Sequence, residues 1–423
     1  MQDSHYDVKP LSHPIDTVVS VPGSKSITNR ALILATLAQG NSPSLLQNAL
    51  KSVDTEVMLS NLQQLGISIE ADWSSSTVSV RSTPITGWKS QGNFFCGNSG
   101  TTIRFLTATL ALGNGTYRLD GVPRMRQRPI ADLLEALQQL NVRISSVNND
   151  GCPPVYLEAQ GIQGGTVHIR SDVSSQFLSA MLLAAPYAAS PITLKLEGPM
   201  VSEPYIEMTL AMMQQWGVTV SREASNRFFV KPQHYLPQKY AIEPDASSAS
   251  YFWAAAAITG GRIRVPGLTQ SLQGDTEFLK MLVKMGCRLE GSEVLVGQPL
   301  HGIDVDMNAI SDTVMTLAVV ALLAEGKTTI RNVAHIRHKE TDRLSALAHE
   351  LRKVGAGVEE HEDGLTIHPA ALHGATLETY DDHRMAMSLA LIGLRVSGIT
   401  ILNPECTNKT FPTFWRTLES LQN

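Results

Sequence analysis

Six times along the chain a short polar cluster opens a stretch that is then almost wholly apolar, and the spacing is nearly constant. The openings are Gly23 (GSKSITNRALILATLA), Asn98 (NSGTTIRFLTATLAL), Val173 (VSSQFLSAMLLAA), Asp245 (DASSASYFWAAAAI), Ser311 (SDTVMTLAVVALLA) and Asp381 (DDHRMAMSLALIGL). Subtracting successive openings gives steps of 75, 75, 72, 66 and 70 residues. Repetition on that scale means one supersecondary unit copied along the chain. The pattern has a second beat: amphipathic helices are predicted to begin about 31 residues after each opening, at Asp54, Pro129, Pro204, Asp275, Asp342 and Pro412. Between the two helices lies a strand such as Thr116 to Leu119, Ile192 to Leu196 or Thr328 to Arg331. After the second helix comes a hairpin-like pair such as Gly66 to Glu70 with Thr77 to Arg81. Each unit therefore reads strand, buried helix, strand, surface helix, two strands, which makes the protein α/β.

A chain of 423 residues exceeds one core, and six units divide into three and three. The sixth unit reaches Asn423 straight after its second helix, without a hairpin, while Tyr6 to Val8 and Thr17 to Val21 precede the first unit. The N-terminal strands are thus expected to complete the last three units. The expected domains are residues 1–21 with 241–423, and residues 22–240, the chain crossing near Val21 and Tyr240 with the active site in the cleft between them.

Net charge is −5 and no basic run occurs, which excludes a nucleic-acid partner, since phosphate-backbone binding needs a positive face. No apolar stretch approaches the roughly 20 residues of a membrane span, and MQDSHYDVKP lacks the basic and apolar regions of a signal peptide. The expectation is a cytoplasmic protein that does not meet a membrane. Cys96, Cys152, Cys287 and Cys406 are scattered without the paired spacing of a zinc or redox motif, so no metal is expected.

A helix apolar on every side must be enclosed by protein, whereas one with a single apolar stripe lies on a surface. Ala31 to Ala38, Phe105 to Leu112, Phe177 to Ala185, Tyr251 to Ile258, Met315 to Leu323 and Met385 to Leu394 are of the enclosed kind. Three such helices related by the repeat gather their N-termini, with unpaired N–H groups and positive dipole ends, on one face of each domain. That face suits anions. N-capping accounts for Ser, Asp, Asn and Gly at single helix starts, and it suffices for DASSAS at Asp245. It does not account for Lys25, Arg30, Arg104 and Arg384, because a cation in the first turn opposes the dipole.

Further cations lie in the loops after the middle strands: Arg124, Arg126 and Arg128 in PRMRQRPI, His335, Arg337, His338, Lys339 and Arg343 in HIRHKETDR, and Lys409 in CTNKTFP. Any one of them alone reads as a solvated surface charge. At equivalent places of a repeated unit, Lys25, Arg30, Arg128, Lys339, Arg343, Arg384 and Lys409 suit two or more anionic groups, with bidentate Arg recognition of carboxylate or phosphate. Two carboxylates stand among them. Asp312 opens the fifth buried helix, where it reads as a cap, and Glu340 reads as a salt-bridge partner of Lys339 or Arg343. As a pair they can divide general base and general acid work.

At these residues the sequence resembles the 5-enolpyruvylshikimate-3-phosphate synthases, also called 3-phosphoshikimate 1-carboxyvinyltransferases. The motifs are PGSKSITNRAL, GNSGTTIRFL, PRMRQRPI, VSSQFLSAMLL, VSEPYI, SDTVMTLA, KETDRL, DDHRMAMSLAL and CTNKTFP, in order and across essentially the whole chain. The resemblance implies the enolpyruvyl transferase fold, a two-domain inside-out α/β barrel of six βαβαββ repeats, three per domain. It implies transfer of an enolpyruvyl group from phosphoenolpyruvate to the 5-hydroxyl of shikimate 3-phosphate, without cofactor or metal, by a monomer, with glyphosate as inhibitor.

By matching motif positions it implies that shikimate 3-phosphate meets Lys25, Ser26, Arg30, Ser174, Ser175, Gln176, Ser202, Tyr205, Asp312, His335 and Lys339. Phosphoenolpyruvate would meet Lys25, Gly100, Arg128, Gln176, Arg343, Arg384 and Lys409, with Asn98, Thr101, Arg104 and His383 as secondary candidates. Asp312 is assigned as base towards the 5-hydroxyl, with Glu340 or Lys25 delivering the proton to the methylene. Two positions depart from the family's pattern: His335 where Asn is frequent, and Ser99, before Gly100, where Ala is frequent. The second implies altered sensitivity to glyphosate.

The nearest rival, the UDP-N-acetylglucosamine enolpyruvyltransferases, commonly carries a catalytic Cys in the loop matching Gly121 to Pro129, and that loop has none here. A repeat-built binding scaffold or clamp is the non-enzymatic alternative. The Asp312 and Glu340 pair speaks against it.

Overall fold

The computed structural model describes residues 4–422. The chain forms two compact units: residues up to Pro22 together with those from Glu243 onwards, and Gly23–Ile242.

In the Gly23–Ile242 unit three buried helices, Lys25–Leu37, Gly100–Leu110 and Ser175–Ala184, each start on a serine whose side chain accepts from a backbone N–H of the first turn: Ser24 from Ile27, Ser99 from Thr102 and Ser174 from Gln176. Such a cap satisfies one of the orphan donors of a helix start. From Ile27 to Leu37 and along all of Gly100–Leu110 every residue is buried, as apolarity on all sides requires. Arg30 Nη2 donates to Ser179 Oγ at 3.2 Å, and the Arg30 guanidinium lies 5.2 Å from the centre of the Phe105 ring. These three residues stand in the N-terminal halves of the three helices, so the helix starts converge.

Three sheets of one design enclose these helices. In one, Gln91–Phe95 runs parallel to Asn114–Asp120, which pairs antiparallel with Val155–Gln160, and that strand pairs antiparallel with Arg143–Ser146. The same arrangement joins Gly165–Arg170, Ile192–Glu197, Arg227–Val230 and Val220–Ala224. In the third, Lys239–Ala241 takes the first place beside Ser44–Gln47, so the last strand of the unit closes on its first repeat.

The other unit repeats the plan with buried helices Ala246–Thr259, Val314–Ala321 and His383–Ala390. A file of hydroxyls joins the three helices: Ser250 Oγ and Thr316 Oγ1 lie 3.2 Å apart, as do Thr316 Oγ1 and Ser388 Oγ. Asp16–Val18 pairs parallel with Arg262–Arg264, and His5–Val8 pairs antiparallel with Ile399–Leu402. The latter stands where the other sheets have a hairpin strand, which the sixth repeat lacks.

Several helix starts differ from the sequence reading. The fifth buried helix begins at Val314 after an irregular 3-10 stretch, Asn308–Thr313, in which Ile310 leaves helical geometry. Asp312 is therefore not the helix cap expected of it. The surface helices of the fourth and sixth repeats begin at Phe278 and Phe414, later than Asp275 and Pro412, because a 3-10 turn and a Pro-containing loop precede them. No helix among the described residues is long and apolar enough to cross a membrane.

Candidate active site

In the Gly23–Ile242 unit the convergent helix starts carry a connected set of polar groups. Arg104 Nη1 donates to Gln176 Oε1 at 2.6 Å and its Nη2 to the Pro129 carbonyl at 3.0 Å, while its guanidinium lies 5.1 Å from the Phe177 ring centre. Gln176 Nε2 in turn donates to Thr101 Oγ1 at 3.4 Å. Arg128 Nη1 reaches the Asn98 carbonyl at 2.9 Å. Gly100 lies against both arginines: a Cβ there would stand 2.5 Å from Arg128 Nη2 and 2.9 Å from Arg104 Nη1. The absence of a side chain lets the backbone approach the two guanidinium groups this closely.

Lys25 forms an ion pair with the buried Asp54 at 3.4 Å, so the lysine at the first helix start is held by the surface helix of its own repeat. Arg30 is 2% exposed and donates to Thr209 Oγ1, the Ser26 carbonyl, Ser179 Oγ and the Tyr205 carbonyl. Four of its five N–H donors are thereby committed, and burial lowers its pKa to about 10. Ser202 sits in left-handed backbone at φ 52°, and its carbonyl accepts from Tyr205 N at 3.1 Å. Ser174 is the cap of the third buried helix and Ser175 its first residue. Arg126, by contrast, is half exposed and spent on Asp120, and Arg124 donates to Gln127, so these two loop cations are the surface charges that each alone suggested.

The other unit assembles a tighter ionic set. Arg343, 1% exposed, donates through Nη1 to Asp312 Oδ1 at 3.1 Å, through Nη2 to Glu340 Oε2 at 2.9 Å, and through Nε to Asp382 Oδ2 at 2.8 Å. Arg384 Nη2 donates to the second Asp312 oxygen at 2.7 Å, and Lys409 Nζ stands 3.6 Å from Glu340 Oε1. Three cations and three carboxylates thus share one enclosed cluster. Burial alone would lower the Arg343 pKa, but the charges of Asp382, Glu340 and Asp312 outweigh it and hold the pKa above the ordinary value. Removing any one member would leave an uncompensated buried charge.

His335 Nε2 lies 2.8 Å from Ser311 Oγ, and burial, with Lys339 adding to it, depresses its pKa to about 3. The ring is neutral near pH 7. Lys339 is half-buried and His338 exposed. His383 is buried at the start of the sixth helix, with Nδ1 3.6 Å from Asp382 Oδ1.

Asp382, Asp54 and Ser311 belong to these networks without having been singled out from sequence. Asp382 had a signal, since it caps the sixth buried helix by accepting from Arg384 N at 2.9 Å. A cap two residues before a conspicuous arginine reads only as a cap. Asp54 opened a predicted surface helix, and nothing local tied it to Lys25.

Helix starts that array arginine, lysine and carboxylate around a repeated α/β scaffold define an enzyme handling small anionic substrates. The sequence model of the family described as EPSP synthase (3-phosphoshikimate 1-carboxyvinyltransferase) matches residues 11–418, and the chain belongs to that family. It is 48% identical over 411 residues to the 3-phosphoshikimate 1-carboxyvinyltransferase of Trichormus variabilis, covering 96% of each chain. It is likewise 48% identical to that of Shewanella denitrificans over 410 residues, with 95% of each covered. Among solved structures, the EPSP synthase of Acinetobacter baumannii superposes with a TM-score of 0.80 at 25% identity, over 99% of this chain and 98% of the other.

Proposed function

We propose that the protein transfers the enolpyruvyl group of phosphoenolpyruvate to the 5-hydroxyl of shikimate 3-phosphate, yielding 5-enolpyruvylshikimate 3-phosphate and phosphate. It is a transferase of the shikimate pathway, in keeping with its family and relatives. The observation that carries the reading is the double hold of Arg343 and Arg384 on Asp312, with Glu340 and Lys409 beside it. Two guanidinium groups that grip one carboxylate by both oxygens are fitted to grip another, that of phosphoenolpyruvate, which releases Asp312 towards the attacking hydroxyl.

In the addition step the 5-hydroxyl oxygen bonds to C2 of phosphoenolpyruvate, Asp312 takes the hydroxyl proton, and Glu340 or Lys25 gives a proton to the C3 methylene. In the elimination step C3 returns its proton to the group that gave it, the C2 to phosphate oxygen bond breaks, and phosphate leaves against Lys25, carrying away the proton that Asp312 had taken. Arg128, Gly100, Gln176 and Lys409 are the further groups proposed for phosphoenolpyruvate. Ser26, Arg30, Ser174, Ser175, Gln176, Ser202, Tyr205, His335 and Lys339 are those proposed for shikimate 3-phosphate. This reading sets the reaction in the cytoplasm, on a monomer, with glyphosate as inhibitor and no cofactor.

Phosphate release measured with phosphoenolpyruvate and either shikimate 3-phosphate or UDP-N-acetylglucosamine tests the assignment. Turnover with the first acceptor is expected. Turnover only with the second, or undiminished turnover in Asp312→Asn, overturns it.

A further inference from the structure

Beside Asp312 stands another carboxylate, one the reaction above leaves unused. Asp275 lies in the short turn Gly274–Glu277, is 3% exposed, and accepts from Ser247 Oγ in the first turn of the fourth buried helix. Gln273 fixes the turn to that helix start: its Oε1 accepts from Ala246 N at 3.0 Å and its Nε2 donates to the Pro244 carbonyl at 2.7 Å. The turn packs against Asn308–Thr313, the stretch that carries Asp312. Burial pushes the Asp275 carboxyl up to about 7, and the Asp312 charge pushes the same way; Arg384 and the Ser247 hydroxyl oppose them, while Asp245 adds a smaller upward push. Of the other charges around the turn, the partly buried Glu243 accepts from Gln273 Nε2 at 3.1 Å and from Leu272 N at 3.0 Å, Glu277 pairs with Lys280 at 2.7 Å, and Lys284 lies in solvent.

We propose that Asp275 is a positioning residue for the Asp312 and Arg384 pair: while neutral it leaves the guanidinium to Asp312 or to the substrate carboxylate, and once ionised it competes for that same cation. The idea rests on the enolpyruvyl-transfer reading of this site and deepens it. Two neighbouring carboxylates around one guanidinium titrate as a pair, so the second negative charge arrives only as pH rises through the upper step. Above it, the hold of Arg384 on phosphoenolpyruvate weakens.

The test compares KM for phosphoenolpyruvate from pH 6 to 8 in the full chain and in Asp275→Asn, which keeps the shape without the charge. Substrate phosphates, with pKa near 6, titrate identically in both assays and cancel in the ratio. The wild-type to variant KM ratio is expected to rise several-fold across that range with kcat little changed. Ser247→Ala, which removes a hydrogen bond favouring the charged form, should move the inflection to higher pH. A flat ratio overturns the proposal.

Independently of turnover, a carboxyl titration followed by carbon-13 NMR should place the Asp275 midpoint near neutrality and show it falling in Asp312→Asn, where the like charge is gone. An unmoved midpoint overturns the pairing. Absence of wild-type turnover with these substrates would condemn the assigned reaction, and the carboxyl titration would still decide the coupling.

Discussion

Arg384 Nη2 donates to Asp312 Oδ2 at 2.7 Å across a sequence separation of 72 residues, about one repeat. The carboxylate at the fifth helix start is thus held by the cation at the sixth. Because Asp312 is anchored through both oxygens, Asp312→Asn keeps the volume and loses the charge. Its kcat is expected to fall by roughly 10²- to 10⁴-fold, the usual worth of a general base. Steady-state kinetics with an unchanged circular dichroism spectrum checks it, and full turnover would remove Asp312 from the base role.

Arg343 is the hub of the buried cluster and Arg126 a half-exposed partner of Asp120. Arg343→Ala removes the cation that three carboxylates share and should destabilise its unit by about 3–5 kcal/mol. Arg126→Ala should change stability by less than about 1 kcal/mol. Urea unfolding of both variants makes the comparison, and equal midpoints would show that the cluster contributes no more than a surface pair.

Gly100→Ala places a methyl group where Arg128 Nη2 and Arg104 Nη1 already stand. Arginine tips can shift by less than an ångström, but these two are buried and tied to Asn98 and Gln176. The backbone survives the change while the guanidinium positions do not. A rise in KM for phosphoenolpyruvate of roughly tenfold, about 1.4 kcal/mol of binding, is expected together with a melting temperature near that of the wild type. An unaltered KM would place phosphoenolpyruvate away from Gly100.

Ser99 caps the second buried helix, its Oγ accepting from Thr102 N at 3.4 Å and lying 2.8 Å from Thr102 Oγ1. Ser99→Ala should cost about 1 kcal/mol of stability. By loosening the backbone that leads into Gly100 it should also change inhibition by glyphosate. Equal inhibition constants in the two proteins would sever that link.

His335 is neutral in the folded chain down to about pH 3, whereas unfolded histidine protonates near its ordinary value of 6.5. Below that ordinary value the unfolded state binds the extra proton, so stability is complete above about pH 6.5 and declines as pH falls towards 3. At pH 5 the loss from this residue alone is about 2 kcal/mol. Melting temperatures of the wild type and His335→Asn should therefore diverge less at pH 5 than at pH 7 if the Asn variant is the less stable at neutrality. A difference independent of pH would show that the ring titrates normally.

The repeat, the enclosed helices and the residues at their starts were legible in sequence, because apolarity on all sides and a capping residue are local signals. The motif resemblance named the family that the relatives bear out. The partners of the ionisable groups were not legible. Asp312 read as a cap, yet its oxygens go to arginines 31 and 72 residues away. Asp382 looked like an ordinary helix start and proved to be a ligand of Arg343. Lys25 was expected to await an anion, and it already holds Asp54.

Sequence alone determined that this chain builds six copies of one α/β unit and brings basic residues to the mouths of its buried helices, since side-chain period and polarity act within a few turns. Tertiary structure alone decided which carboxylate meets which cation, because a buried charge is tolerable only with its partner at bonding distance, and that distance is set by packing between repeats that lie far apart along the chain.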